Sequence, residues 1–253
     1  MVELEVNGNV LVMRINRPEA RNAVNGDVAQ GIEAGVDRLE DDDSLWVGVL
    51  TGTKEFFSAG ADLKLINAGR AGEMMTERGG FAGLVGRTRT KPLIAAVEGP
   101  ALAGGTEITL ACDLVVASTA SRFGIPEVKR NLVAGGGGLF RLPRVLPRNV
   151  AMELGLTGDP IDAERAYHFG LVNRLAEPGT AIDVALALAG EITANAPLAV
   201  QKTRALMIEL AEADDEVGFR RSNEAMAELF GSEDMGEGLT AFIEKRPPVW
   251  KGR

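Results

Sequence analysis

Cysteine, histidine and long apolar runs are what this sequence has least of. One cysteine in 253 residues, Cys112, excludes an internal disulfide and any zinc site built on several cysteines. Its expected place is as a small buried hydrophobe in a strand. One histidine, His168, leaves too few ligands for a transition-metal site, which needs several held together. A Ser-His-Asp triad would have to use it, yet it falls in the last turn of a helical stretch, where histidine favours the helix end. No apolar run approaches the roughly 20 residues that span a bilayer. The charged, alternating start Met1-Val-Glu-Leu-Glu lacks the pattern of a signal peptide, so a cytoplasmic location is expected. Basic residues are also in deficit, 27 against 36 acidic, for a net charge of −9. Phosphate backbones are held by basic faces, so neither nucleic acid nor membrane is an expected partner. A local basic pocket for one phosphorylated ligand stays open.

What is present reads as a large α/β chain. Hydrophobic residues make up 45% and charged residues 25%, ordinary globular usage, and the length allows a sizeable core. Residues 2–16 alternate through Asn7-Gly8-Asn9 and predict a hairpin. A helix is expected over about 27–41, with Ile32, Val36 and Leu39 on one stripe. Trp46–Thr51, Leu93–Val97 and Asp113–Ala117 are nearly all apolar and predict strands buried on both faces. The stretch 67–90 carries six glycines with Met74 and Met75 and is expected to be mobile. Strands and helices recur at roughly forty-residue spacing, as in a spiral of ββα units. From about Val150 the chain turns helical. Asp162 caps a helix ending at Gly170, further helices are expected over 180–194, 197–211 and 214–230, and Ser232 caps a last one running to Lys245.

Four stretches carry candidate chemistry. Pro100-Ala-Leu-Ala-Gly-Gly-Thr-Glu107 follows a buried strand and opens a helix near Gly104. Free N–H groups and the positive helix end meet there, which suits an anion or a developing oxyanion. Glu107 lies one turn on, on the same face. A helix glutamate is usually a surface residue, but Ile108, Leu110 and Ala111 beside it are apolar. Phe123-Gly-Ile-Pro-Glu127 presents a second carboxylate after a rigid turn, itself readable as a plain helix-start residue. Two carboxylates and an oxyanion site are the minimum kit for adding a proton to one carbon and water to its neighbour. Ser58-Ala-Gly-Ala-Asp-Leu-Lys64 is either an ordinary turn or a place where a ligand reaches backbone, with the Ala61 N–H as a second donor. Gly135–Gly138 lacks the Gly-Lys-Ser/Thr of a phosphate loop and reads as a close-approach wall or a hinge.

The spacing of Phe-Ser-Ala-Gly-Ala61-Asp-Leu-Lys, Gly104-Gly-Thr-Glu107 and Gly124-Ile-Pro-Glu127 resembles the enoyl-CoA hydratase/isomerase family, the crotonases. Asn16-Arg-Pro-Glu-Ala-Arg-Asn-Ala23, Gly170-Leu-Val-Asn173 and Ala241-Phe-Ile-Glu-Lys-Arg-Pro-Pro248 extend the likeness along the chain. The resemblance implies an α/β crotonase-like spiral over 1–195 and a C-terminal helical trimerisation region over 196–253. It implies homotrimers or dimers of trimers and an acyl-CoA thioester substrate, with no metal and no cofactor beyond the coenzyme A of the substrate. By similarity Ala61 and Gly104 bind the thioester oxygen, Glu107 activates water and Glu127 protonates the α-carbon. Asp62, Leu63 and Lys64 line the thioester and pantetheine path together with Ala61. Phe242 and Lys245 reach the adenine or phosphate end of coenzyme A from a neighbouring subunit. Lys245, Arg246, Lys251 and Arg253 offer a local phosphate site in an acidic protein, or form a solvated tail. The implied activity is hydration of a trans-2-enoyl-CoA to a 3-hydroxyacyl-CoA. A double-bond isomerase, a specialised dehydratase and a non-catalytic acyl-CoA binder are the alternatives. Ala103-Gly-Gly-Thr106 and Asn131-Leu-Val-Ala-Gly-Gly-Gly-Gly138 depart from the commonest hydratase pattern. They look like a branch that includes carnitinyl-CoA dehydratase-like proteins.

Overall fold

The computed structural model describes residues 1–253. The chain opens with strands Val2–Asn7 (β1) and Val10–Ile15 (β2), paired antiparallel with Asn7 opposite Val10. The turn is two residues, Gly8 and Asn9, one shorter than expected, and Gly8 takes a left-handed φ of 57°. Helix Gly26–Asp41 (α1) is capped by Asn25, whose side chain accepts the Val28 N–H at 3.0 Å. Its buried stripe is Val28, Ala29, Ile32, Gly35, Val36 and Leu39. Strand Val47–Thr51 (β3) and helix Leu63–Asn67 (α2) follow.

The stretch expected to be mobile is instead built and pinned. A 3-10 turn over Ala71–Met74 leads into a hairpin of Met75–Thr76 (β4) and Gly80–Phe81 (β5). Glu33 accepts the Gly79 N–H at 3.0 Å, and Asp37 pairs with both Arg78 and Arg87, so α1 holds the hairpin from one side. The glycines serve close approach here: a Cβ on Gly83 would stand 2.2 Å from the Ala29 carbonyl oxygen.

Strand Leu93–Val97 (β6) leads to a strand not foreseen, Pro100–Leu102 (β7), then helix Gly104–Ala111 (α3). Strands Leu114–Ser118 (β8) and Arg122–Gly124 (β9) come next. Cys112 caps the end of α3 rather than lying in a strand, and burial pushes its thiol up to about 12. Helical structure begins earlier than Val150, with Gly138–Val145 (α4) and Arg148–Thr157 (α5). Strand Ile161–Asp162 (β10), helix Ala163–His168 (α6), strand Arg174–Ala176 (β11) and helix Ala181–Thr193 (α7) complete the layered part. Pro197–Glu209 (α8), Asp215–Phe230 (α9) and Glu233–Glu244 (α10) end the chain, the last capped by Ser232 with Lys245 left-handed behind it.

The main sheet runs β1-β2-β3-β6-β8-β11, parallel beyond the first pair. Side chains alternate across it, and the two sets feed two cores. Leu11, Met13, Ile15, Leu50, Leu93 and Ala95 pack towards α1. Val10, Val12, Val47, Val49, Ile94 and Ala96 pack under α7 through Ala181, Ala185 and Leu188. Each fully buried aliphatic side chain contributes about 1.5–3 kcal/mol. A smaller sheet, β10-β9-β7, stands beside α3, and it is this sheet that positions the site.

Helices α8–α10 bury little in the single chain: Met207, Phe219, Phe230, Phe242 and Ile243 are all exposed. They are tied to the layered part by Arg204, which pairs with Asp113 at 2.9 Å, and by Trp250, whose indole N–H donates to the Ala194 carbonyl at 2.8 Å. No single helix is long and apolar enough to cross a membrane.

Candidate active site

The site forms where the 58–61 loop is laid between two other segments. On one side, the Val24 N–H donates to the Gly60 carbonyl at 2.7 Å, and the Asp62 N–H to the Val24 carbonyl at 3.0 Å. On the other, the Leu102 N–H of β7 donates to the Ser58 carbonyl at 3.0 Å. These bonds bracket Ala61 and leave its N–H without a partner in the chain. Asn22 anchors the first side. It is fully buried, with Oδ1 accepting the Arg17 N–H at 2.8 Å and Nδ2 donating to the Phe56 carbonyl at 2.7 Å.

Two absent side chains let the loop close on α3. A Cβ on Gly60, which sits at φ 85°, would stand 2.5 Å from the Gly104 nitrogen, and one on Gly105 would stand 2.2 Å from the Ser58 carbonyl oxygen. The Ala61 and Gly104 segments therefore meet. Gly104 supplies the first N–H of α3, which has no partner within its own helix, and no side chain caps it. Its direction is set by Ala103, the residue before it. Ala103 holds φ 52° and ψ −126°, a conformation costing a non-glycine residue about 1–3 kcal/mol. Its carbonyl accepts the N–H groups of Thr106 at 2.9 Å and Glu107 at 3.2 Å. Across a trans peptide the Gly104 N–H points opposite that carbonyl, away from the helix. The Phe81 ring closes the other side: its Cε1 and Cζ lie 2.5 and 2.6 Å from where a Gly104 Cβ would be.

Glu107, one turn into α3, is 3% exposed. Its Oε1 accepts the Gly138 N–H at 2.9 Å, and a Cβ on Gly136 would stand 2.6 Å from its Oε2. The four-glycine run is thus a backbone wall around this carboxylate, one of the two readings its sequence allows. Burial pushes the Glu107 pKa up, against the opposing pull of the Gly138 and Gly136 N–H groups and the charge of Arg141. Glu127 lies in a 3-10 turn over Pro126–Arg130 that leaves β9. Its Oε2 is buried with no hydrogen-bond partner. Burial raises its pKa too, and the negative charge of Glu107 raises it further. Glu127 thus lies within reach of the Glu107 charge, and one of its carboxylate oxygens is buried with nothing to bind.

Thr106 links the parts. Its buried hydroxyl lies 2.7 Å from the Ala101 carbonyl oxygen and 2.8 Å from that of Gly124, and accepts the Gly124 N–H at 3.0 Å. Its one proton serves one carbonyl at a time, but the group spans β7, α3 and β9 together. Arg17 was present in the sequence only as part of a resemblance. In the fold it donates to Asp62 Oδ2 at 2.8 Å and to the Ala23 carbonyl at 3.0 Å. Asp62 also caps α2 through the Lys64 N–H at 3.0 Å. Burial would raise the Asp62 pKa, but Arg17 and the Lys64 N–H outweigh it and hold the carboxyl below its usual range. The signal for Thr106 was its place in a Gly-rich stretch entering an apolar helix, whereas Arg17 and Asn22 lie in a polar run, Asn16-Arg-Pro-Glu-Ala-Arg-Asn22, where nothing local sets them apart.

The remaining expected residues lie outside this cluster. Leu63 and Lys64 follow Ala61 on α2, with Leu63 exposed. Phe242 is 84% exposed near the end of α10, and Lys245 lies just behind it. No hydrogen bond or ion pair joins either to Ala61–Lys64 or Gly104. The basic tail is largely neutralised, contrary to a free phosphate site. Lys251 and Arg253 pair with Glu233, and Arg246 pairs with Glu237 and Glu244.

Comparison with known proteins gives a consistent result. Residues 5–253 match the model of the family described as enoyl-CoA hydratase/isomerase. The chain is 39% identical over 256 residues to enoyl-CoA hydratase EchA19 of Mycobacterium tuberculosis, covering 99% of this chain and 96% of that protein. It is 38% identical to a carnitinyl-CoA dehydratase of Salmonella paratyphi A, covering 100% of this chain and 98% of the relative. The crystal structure of an enoyl-CoA hydratase from Mycobacterium tuberculosis H37Rv superposes with a TM-score of 0.95 at 51% identity, covering 100% of this chain and 99% of that one.

Proposed function

This chain belongs to the enoyl-CoA hydratase/isomerase family, and from that premise we propose that it adds water across the double bond of a trans-2-enoyl-CoA. The observation that carries the reading is a pair of glutamates, Glu107 buried and accepting the Gly138 N–H, Glu127 half-buried with one unpartnered buried oxygen. Glu107 takes a proton from water as the water oxygen bonds to the β-carbon. The displaced π electrons move to the thioester oxygen as an enolate. Glu127 then delivers its proton to the α-carbon, giving the 3-hydroxyacyl-CoA. Proton exchange with solvent restores both acids. The N–H groups of Ala61 and Gly104 hold the enolate oxygen, each such donor lowering the barrier by about 3 kcal/mol. Their support in this chain is that neither is used by the fold itself. Raised pKa values suit the roles, since one acid must stay protonated near neutral pH.

The same groups run backwards eliminate water, and a relative at 38% identity, against 39% for the hydratase, is named carnitinyl-CoA dehydratase. Asp62, Leu63 and Lys64 would line the pantetheine path because they continue directly from Ala61. The division into 1–195 and 196–253 and assembly as trimers are supported by the exposed apolar side chains of α8–α10, which a second copy would cover. That surface includes Phe242, and Lys245 would reach a neighbour's coenzyme A from it. The test is turnover of crotonyl-CoA, a 3-enoyl-CoA and carnitinyl-CoA side by side with product identification. Hydration of crotonyl-CoA is expected. Tight acyl-CoA binding with no turnover on any of them would overturn the reading.

A further inference from the structure

Arg141 stands behind the site with no role yet assigned. It lies in α4, one turn beyond the glycine wall, and its side chain is partly buried. One arm, Nη2, donates to the Val85 carbonyl at 2.6 Å, and the other, Nη1, to the Gly136 carbonyl at 3.3 Å. Gly137 makes room for it: at φ 105° a side chain would be strained there, and its Cβ would stand 2.4 Å from Nη1 and push the guanidinium aside. The two carbonyls belong to different functional parts. Gly136 packs against Glu107 Oε2. Val85 closes a turn through its N–H to the Phe81 carbonyl at 3.2 Å, and Phe81 is the ring laid against Gly104. A planar guanidinium bonded at both ends is a rigid strut, so displacement of the Phe81–Val85 turn is passed to the loop that holds Glu107.

We infer that Arg141 is a positioning residue that couples the shape of the acyl side of the site, at Phe81–Val85, to the placement and charge of Glu107. The inference rests on the hydratase reading. An acyl group that seats against Phe81 leaves the strut in register, and Glu107 keeps its Gly138 and Gly136 contacts. One that pushes the turn outward draws Gly136 away, and the base loses its alignment. Discrimination among acyl groups then shows in kcat as well as in KM. The charged or titratable groups whose fields reach Arg141 are Glu107 of α3, Cys112 at the cap of that helix, Arg144 from its own helix and Arg89 from the strand-leading loop. The charge of Arg141 acts in turn on Glu107, and that of Glu107 on Glu127.

Two variants separate strut from charge. Arg141→Lys keeps the charge and loses the fork, and Arg141→Gln loses both. Profiles of kcat against pH are measured for each and for the native enzyme on four-carbon and ten-carbon trans-2-enoyl-CoA, with coenzyme A binding by calorimetry as a check on folding. Arg141→Gln is expected to lose about 100-fold in kcat, with the acidic limb moved to higher pH because a positive charge beside Glu107 is gone. Arg141→Lys is expected to keep that limb while the ratio of four-carbon to ten-carbon kcat changes at least about fivefold. A structural role alone would lower the rate with limb and ratio unmoved, and that result overturns the coupling. Should Arg141→Gln not fold, the ratio in Arg141→Lys decides. Native protein that hydrates neither substrate overturns the hydratase reading and the coupling with it, an outcome distinct from active native enzyme with indifferent variants.

Discussion

The N–H of Gly138 donates to Oε1 of Glu107 at 2.9 Å, across thirty-one residues of sequence, while the Cα of Gly136 rests against the other oxygen. The carboxylate is held by backbone alone, with no side chain between. Gly136→Ala would put a Cβ 2.6 Å from Oε2, and either the carboxylate or the loop must move. Since a displacement of about 1 Å costs on the order of 100-fold in rate, kcat for hydration should fall by roughly that factor with the melting temperature little changed. Unchanged kcat would show that the wall does not hold the base.

Glu107→Gln and Glu127→Gln each preserve shape and remove one proton-transfer group. General acid or base catalysis contributes about 100- to 10,000-fold, so each variant should lose at least 100-fold in kcat while coenzyme A still binds. Stopped hydration of crotonyl-CoA together with calorimetric binding measures both. Native-like turnover by either variant removes that glutamate from the mechanism.

The raised pKa values also make a stability prediction. Both acids are higher in the folded chain, chiefly because burial disfavours the charged form. The folded state therefore binds protons that the unfolded state has released, and ionisation of these groups opposes folding at neutral pH. That penalty fades as pH falls through the folded pKa values and is gone below the ordinary carboxylate value of about 4. Glu127→Gln should accordingly raise the melting temperature at pH 8, with the gain shrinking towards pH 4. A gain that is equal at both pH values would mean the charge is not its cause.

Thr106 joins three elements through one buried hydroxyl. Thr106→Val keeps the shape but leaves the Gly124 N–H unpaired, a loss of about 1–3 kcal/mol in stability. Because Gly104 and Glu107 flank Thr106 and Glu127 follows Gly124, kcat should drop more than KM rises. Thr106→Ser should restore most of both. Denaturant melts and kinetics on the two variants check this, and equal losses in Thr106→Ser and Thr106→Val would sink it.

Asp62 ties Arg17 to the α2 cap beside Ala61. Asp62→Ala leaves the mostly buried Arg17 with only the exposed Glu19, 3.8 Å from its Nε, and removing one partner of a largely buried pair costs up to about 3–5 kcal/mol. The loss should be large by urea melt and should be accompanied by weaker oxyanion stabilisation, seen as reduced kcat. A variant as stable as the native chain would show that the pair is not needed to hold the loop.

The sequence by itself determined what rests on local chemistry. The Ser232 and Asp162 caps, the α1 stripe, the buried parallel strands and the close-approach character of Gly135–Gly138 follow from neighbours within a few residues of one another. Glu107 stood out as a carboxylate among apolar neighbours and Glu127 as one behind a rigid proline turn, while their assignment as catalytic groups came from the family resemblance. Short strands such as β7, β9 and β11 were not, because two or three residues carry no periodicity. The Gly-rich 67–90 stretch misled, since glycine permits both mobility and close packing, and α1 and Arg141 decide between them. Tertiary structure alone decided which backbone donors are left free. Every residue but proline has an N–H; a helix start marks the Gly104 donor in sequence, but that the Ala61 N–H is unused by the chain shows only in the fold. Bonds from Val24, β7 and Ala103 use up the neighbouring groups and leave those two N–H groups without a partner, on segments that close approach at Gly60 brings together. The same holds for the tail, whose cations read as free in sequence and are mostly paired once α10 turns back on itself.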